Sequence, residues 1–319
     1  MRAIVTGGAG FIGSHLVDRL VDDGHAVCVV DDLSTGSESN VSPRAEFHCV
    51  NICNGTSLRD VFEAWRPEVV FHLAAQMDVR RSTREPDFDA RVNVLGGLNV
   101  LRSAIAVGAE RIVYASSGGA VYGDAERLPA SEGASTRPVS EYGVSKLAFE
   151  HYLGLYGSRG EIEYVTLRYP NVYGPRQRPD GKAGVVAIFA ARMLRRESIK
   201  IFGDGKQSRD YLYVSDVVEA NVRAASGVSH VVANLGWGCE VSDLELFREV
   251  ATATNYVGTP VYAPARRGDV LRSCLDTRLA LRTWGWYPRV PLREGIRRVV
   301  EHLNEAISML EHTSSTASA

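Results

Sequence analysis

Paired cysteines, long apolar runs and an excess of charge of either sign are all missing from this chain. Its five cysteines, at positions 28, 49, 53, 239 and 274, are odd in number and scattered, without a CxxC pair. That distribution argues against a disulfide framework and against a zinc site, and no resident metal is expected. No apolar stretch reaches the length of a bilayer crossing, and no charged-then-apolar leader is present, so a cytoplasmic location is expected. The formal net charge is only -2, with neither a basic stripe nor a like-charge block. Nucleic acid and membrane surfaces are therefore not expected partners. The densest basic group, Arg192, Arg195 and Arg196, has the spacing of a solvated helix face. There is no internal repeat either.

What is present is ordinary for a soluble globular protein, with 45% hydrophobic and 23% charged residues. At 319 residues the chain implies one large or two closely joined domains. Its beginning carries the strongest pattern. An apolar run over Ala3–Val5 predicts a buried strand, glycines follow at Gly7, Gly10 and Gly13, and an amphipathic helix then opens with Phe11 and Ile12. Strand, glycine turn and helix in this order suit a dinucleotide pyrophosphate. Gly7 permits the tight turn, Gly10 lets the backbone approach the phosphates, and Gly13 lets the helix pack closely. The free N–H groups at the helix start face the anion. A second apolar run ends in Asp31, eighteen residues beyond Gly13. A carboxylate there accepts from both ribose hydroxyls and repels a 2′-phosphate, which points to NAD rather than NADP.

Up to residue 168 strands and helices alternate. Strands are predicted over 2–6, 26–31, 46–50, 68–73, 111–116 and 163–168, and helices over 11–23, 56–65, 87–107 and 142–157. The fold class this implies is α/β, a Rossmann-type doubly wound parallel sheet forming an NAD-binding domain over 1–168. Parts of 210–236 are expected to rejoin that domain. After Arg168, prolines and glycines crowd an irregular loop, and helices recur near 185–196, 215–226, 242–254, 276–284 and 291–311. Residues 169–319 are expected to form a smaller mixed C-terminal substrate domain.

Ligands of open α/β sheets lie beyond the carboxyl ends of the strands. The third strand is followed by Asn51 and Ile52, placed to edge an adenine. The fourth runs into Leu73, Ala74 and Ala75, small enough for close approach to a cofactor, although such residues also simply pack. Asn93 is polar among apolar neighbours in a helix, which fits either a hydrogen bond near the nicotinamide or a structural role. The fifth strand ends in Ser116 and Ser117, hydroxyl donors beside Gly118 and Gly119. Tyr142 and Lys146, four apart, share one helix face. An ammonium, together with an oxidised nicotinamide, stabilises tyrosinate and lowers a pKa otherwise near 10. A phenol so tuned takes a proton from a hydroxyl while hydride leaves.

TGGAGFIG, DDLSTG, HLAAQ, SSGGAVYG, YGVSK, RYPNVYGPRQ, GDGKQSRDY and RRGD together resemble the extended short-chain dehydrogenase/reductase family, and within it the bacterial UDP-glucose 4-epimerases. The likeness spans nearly the whole chain. It implies tightly held NAD, a UDP-hexose substrate, a homodimer, and transient oxidation at sugar carbon 4, in which the sugar turns over between two hydride transfers. Carried across, it makes Tyr142 the base, Lys146 its electrostatic partner and Ser117 the catalytic hydroxyl. Tyr169, Pro170 and Asn171 lie against cofactor and sugar, Arg209 and Arg266 on the pyrophosphate, and Asp269 near the uridine ribose. Ser273 falls where the family gates the substituent on sugar carbon 2, and its small size implies that UDP-GlcNAc and UDP-GalNAc are accepted too. Two positions depart from the family. Gly118 stands where a serine or threonine is usual, which moves the hydroxyl role to Ser117, and Asn51 replaces a usual aspartate. Dehydratases and decarboxylases of this fold need acids where this chain has Gly118, Gly119 and Ala120. A UDP-glucuronate 4-epimerase and a catalytically silent NAD-binding sensor remain alternatives. The helices over 87–107 and 142–157 carry surplus apolar residues (Val92, Leu95, Leu98 and Leu101; Leu147, Leu153 and Leu155) and are the expected dimer surface.

Overall fold

Continuous runs of aliphatic residues, buried on both faces, form the central strands, as they do where helices cover a parallel sheet on each side. In the computed structural model, which describes residues 1–179, 184–265 and 270–316, with side chains as far as Ser308, six strands come from the chain up to Tyr169. They are β1 (Arg2–Thr6), β2 (Ala26–Asp31), β3 (Glu46–Cys49), β4 (Val69–His72), β5 (Arg111–Ser117) and β6 (Glu163–Tyr169). An edge strand, Val231–Asn234, pairs in parallel with β6 and completes a seven-stranded sheet in the order edge-β6-β5-β4-β1-β2-β3. The register sets Thr6 beside His72 and Ser117 beside Tyr169, so the carboxyl ends of the inner strands finish close to level.

One face of the sheet is covered by the helices Phe11–Asp22 and Val214–Ser226, through Leu16, Leu20, Val217 and Ala224. The other is covered by Gly55–Trp65, Gly97–Ala106 and Glu141–Ser158, through Leu58, Phe62, Leu101, Phe149 and Leu153. A third apolar cluster joins Val185–Leu194, Asp243–Thr254 and Leu292–Thr316, with Phe189, Met193, Leu246, Val250 and Ile296 at its centre. Three two-stranded pairs lie outside the main sheet: Asn171–Tyr173 with Tyr211–Tyr213, Ser208–Arg209 with Val241–Ser242, and Lys200–Phe202 with Val261–Ala263. Strands of two or three residues carry no readable period, which is why the sequence does not announce them.

The helix expected over 87–107 is not uniform. It begins as Pro86–Ala90, widens into a π-helical turn over Arg91–Gly96, and resumes as Gly97–Ala106. Packing enforces close approach at the junction: a Cβ on Gly96 would stand 2.8 Å from Ile52 Cδ1, and one on Gly97 2.8 Å from Phe149 Cε2. Such wide turns re-aim side chains and recur at functional sites. Among the described residues, no helix is long and apolar enough to cross a membrane.

Candidate active site

A cleft of about 720 Å³ runs along the carboxyl ends of the strands. That is within the size range of small-molecule sites, about 300–1,000 Å³. At its floor the glycine turn is shaped by contact. Gly7 has φ +74°, and a Cβ on it would lie 2.6 Å from the Ala74 N. A Cβ on Gly13 would overlap the Gly7 carbonyl, so the third glycine serves the turn itself more than helix-to-sheet packing. Asp31 closes the turn from β2: the Ala9 N–H donates to its Oδ2 at 3.0 Å and the Leu33 N–H to its Oδ1 at 2.8 Å. Burial pushes this carboxyl up, against the downward pull of those two bonds. Each oxygen keeps a further lone pair for a ribose hydroxyl. The wall near Asp31 includes Asn51, whose Nδ2 donates to Asp32 Oδ2 at 2.7 Å, and Ile52.

Tyr142 and Lys146 face the cleft from the first turns of Glu141–Ser158, which Ser140 caps by accepting from the Gly143 N–H. The Lys146 side chain is 3% exposed and its Nζ lies 4.6 Å from the Tyr114 ring centre and 6.0 Å from that of Tyr142. Among the described residues no side chain accepts a hydrogen bond from that ammonium. An ammonium on the cleft wall with no side-chain acceptor fits a ligand that brings hydroxyl acceptors, as a nicotinamide ribose does. Burial pushes Lys146 down to about 8, with Glu150 and Asp89 pulling the other way. Burial pushes the Tyr142 phenol up to about 12; the neighbouring Ser117 hydroxyl pulls it down and the charge of Asp89 adds to the rise. The expected lowering of this phenol rests on Lys146 and an oxidised nicotinamide acting together, and the nicotinamide's share lies outside the protein's own groups. The protein's own groups raise it, and a further positive charge is needed to form tyrosinate near neutral pH.

The two serines at the end of β5 differ in freedom. The Ser116 hydroxyl donates to Glu150 Oε1, deep in the protein. Glu150 in turn receives the Arg168 Nε at 3.0 Å and 3.2 Å on its two oxygens. Arg168 also reaches the Tyr122 hydroxyl at 2.7 Å, which donates to Asn234 Oδ1 at 2.8 Å. Both serines line the cleft, but only Ser117 leaves its hydroxyl free of Glu150, beside Tyr142. Space explains the missing hydroxyl at position 118: a Cβ on Gly118 would overlap Leu275 Cδ1.

Gly10, Phe11, Ile12, Leu73, Ala74, Ala75, Tyr169, Pro170 and Asn171 also line the cleft. Asn93 does not. It lies behind the wall at 3% exposure, its Oδ1 accepting from the Gln76 N–H at 2.9 Å and its Nδ2 donating to the Gln76 carbonyl, Asp89 Oδ1 and Ser145 Oγ. Of its two readings, the structural one matches these contacts. Arg209 is also off the cleft wall, with Nη1 donating to the Ser208 carbonyl at 2.8 Å. Ser273 is 7% exposed, and its Oγ lies 4.0 Å from where a Cβ on Gly119 would stand, with Asn171 Oδ1 3.7 Å from the same point. Arg266 and Asp269 lie outside the described residues. Sequence reasoning missed Glu150, Asp89, Gln76 and Asp210. Only Glu150 left a signal, standing four residues after Lys146 on the Tyr142 face.

Three comparisons bear on this geometry. The model of the NAD dependent epimerase/dehydratase family matches residues 3–236. A UDP-glucose 4-epimerase of Mycolicibacterium smegmatis is 45% identical over 309 residues, covering 94% of this chain and 98% of its own length. Among solved structures, the Thermotoga maritima UDP-glucose 4-epimerase with UDP-glucose superposes with a TM-score of 0.95 at 44% identity, over 96% of this chain and 100% of the other. The Thermus thermophilus UDP-glucose 4-epimerase in complex with NAD does so with a TM-score of 0.91 at 43% identity, over 95% and 99%.

Proposed function

The chain belongs to the NAD dependent epimerase/dehydratase family, and from that premise we propose that it interconverts UDP-glucose and UDP-galactose by transient oxidation at sugar carbon 4. The observation that carries the reading is the Tyr142 phenol, on the cleft wall with Ser117 and buried Lys146, at one end of a cleft that reaches the glycine turn. NAD supplies the hydride acceptor at carbon 4 and the positive ring charge that brings the phenol down.

Asp31 holds the adenosine ribose and excludes a 2′-phosphate, Gly7 and Gly10 leave room for the pyrophosphate, and Lys146 meets the second ribose. Tyr142 takes the proton of the 4-hydroxyl while Ser117 holds the 4-oxygen by a hydrogen bond. Tyr169, Pro170 and Asn171 border the sugar; Arg266 and Asp269 are assigned to the nucleotide, and Arg209, which stands off the cleft wall, keeps that assignment through the family resemblance alone. The sugar itself meets small residues, which lets the ketone turn over before hydride returns to its other face. Ser273 stands small beside Gly119 and Asn171, and its size is what assigns UDP-GlcNAc and UDP-GalNAc to the substrate range.

We read the molecule as a cytoplasmic homodimer. The five cysteines are all free thiols, as reducing surroundings leave them. Val144 at 54%, Tyr152 at 37% and Leu155 at 45% exposure face outward from Glu141–Ser158, beside Leu95 at 56%. Leu101 and Leu153, expected on the same surface, are instead fully buried inside the subunit. The direct test is product analysis with UDP-galactose, UDP-glucose, their N-acetyl forms and UDP-glucuronate. Conversion of UDP-galactose to UDP-glucose by the parent, reduced about 10²–10⁴-fold in Tyr142→Phe, supports the reading. No conversion of either hexose by NAD-loaded protein overturns it.

A further inference from the structure

Behind the cleft wall, Asp89 is a carboxylate with no counter-ion among the described residues. It lies in the short helix Pro86–Ala90, just before the π-helical turn, and is 1% exposed. Its Oδ1 accepts from Gln76 Nε2 at 2.8 Å and from Asn93 Nδ2 at 3.1 Å. Its Oδ2 is buried and has no partner among the described residues. A bare carboxylate oxygen in the interior is costly unless a positive charge lies near.

The nearby cation is Lys146. The groups around that ammonium come from four elements: Tyr142 and Glu150 from its own helix, Tyr114 from β5, His72 from β4, and Asp89 from Pro86–Ala90. His72 is held neutral by burial, pushed down to about 3, and its Nδ1 pairs with Thr6 Oγ1 at 2.8 Å. Glu150 has both oxygens engaged by Arg168 and one of them also by Ser116, so its charge is already matched. That leaves Asp89 as the one nearby carboxylate without a cation of its own among the described residues. No ion pair within 4.0 Å joins it to Lys146, so the two act across a gap. Asn93 fixes the arrangement, because it binds Asp89 and also Ser145, whose Oγ donates to the Tyr142 carbonyl at 3.0 Å.

We propose that Asp89 is a positioning residue for the reaction, its carboxylate being the counter-charge that keeps Lys146 an ammonium behind the Tyr142 phenol. The proposal deepens the epimerase reading and rests on it for the identity of the reaction, but the electrostatic pairing itself needs no turnover. Removing the charge leaves Lys146 balanced only by a glutamate already paired with Arg168. The ammonium then gives up its proton at lower pH; while it stays charged, the phenol, freed of a neighbouring negative charge, ionises at lower pH too, and once Lys146 is neutral the phenol loses that support.

The test uses NAD-loaded protein and the variant Asp89→Asn. Ionisation of Tyr142 is followed by absorbance near the tyrosinate band, with Tyr142→Phe as the blank, and the pH profile of kcat is recorded in parallel. Expected is a shift of both the phenol titration and the two limbs of the profile to lower pH, by about one unit. Asp89→Glu, which restores the charge, should return both toward the parent. Should Asp89→Asn not fold, Asp89→Leu serves: Gln76 Nε2 also donates to the Asp78 carbonyl at 3.0 Å, and Asn93 to Ser145 Oγ, so neither donor is orphaned. Reduced kcat with titration and profile both unmoved means that Asp89 only supports packing, and overturns the proposal. A shifted phenol titration together with faster modification of Lys146 by an amine-reactive reagent near neutral pH, in protein that converts no UDP-hexose, sustains the pairing while overturning the epimerase reading.

Discussion

At the scale of single residues, the decisive contrast lies between two adjacent hydroxyls. Ser116 is committed to Glu150, while Ser117 meets the Tyr142 phenol. Ser117→Ala should lower kcat by about 10²-fold, the size found when one donor to a reacting oxygen is removed. Ser116→Ala should leave kcat close to the parent and cost about 1 kcal/mol of stability, read as a lower melting temperature. Equal kcat in the two variants would assign the 4-oxygen to some other donor. Ser273→Tyr should abolish conversion of UDP-GlcNAc and spare UDP-galactose, checked by product analysis of both. Tyr142, Lys146, Ser117 and Asp31 are legible in the sequence because each sits at a fixed spacing from a glycine turn or from one another on one helix. Asp89 and Gln76 are not, since their partners lie on other elements and nothing local marks a carboxylate as bare. The placement of Asn93 behind the wall is likewise invisible without the π-helical turn that aims it.

At the scale of elements, one buried carboxylate ties three loops of the second half together. Asp210, 1% exposed, follows Arg209 and accepts from the Trp237 N–H at 2.8 Å, the Gly238 N–H at 3.0 Å and the Leu275 N–H at 3.3 Å. Burial pushes its pKa up to about 6, more than those three bonds bring it down. Between roughly pH 4, the ordinary value, and pH 6 the folded state therefore holds more protons at this site than the unfolded chain. Its contribution to stability is fully present below pH 4 and declines as pH rises through 6, by about 3 kcal/mol in all. Urea midpoints of the parent and Asp210→Asn, compared from pH 4 to 7, should show the parent losing ground across that interval. A constant difference would mean that the carboxylate stays ionised throughout. The strands and helices of the first half are readable in sequence because they are long enough to show a period and end on glycine or a capping residue. The short strand pairs of the second half depend on tertiary contacts such as those of Asp210, and leave no local pattern.

At the scale of the whole molecule, the apolar row Val144, Tyr152 and Leu155 sits on the outer side of the helix that carries Tyr142. Two copies meeting there would bury the same patch from each, an isologous contact. Leu155→Glu should convert a dimer into a monomer in sedimentation at micromolar concentration, with little loss of thermal stability in the subunit. A parent protein that already sediments as a monomer removes this surface from consideration. The order of strands has a different consequence, one for synthesis. The edge strand Val231–Asn234 seals β6, yet more than sixty residues separate the two, with Tyr211–Tyr213 and Val214–Ser226 already laid down between them. A ribosome that has delivered β6 has therefore delivered a sheet whose flank still offers open N–H and C=O groups, ready to pair with any other strand. During translation the nascent chain must wait with that flank uncovered until its own late segment emerges, and a fragment ending near residue 169 would wait indefinitely.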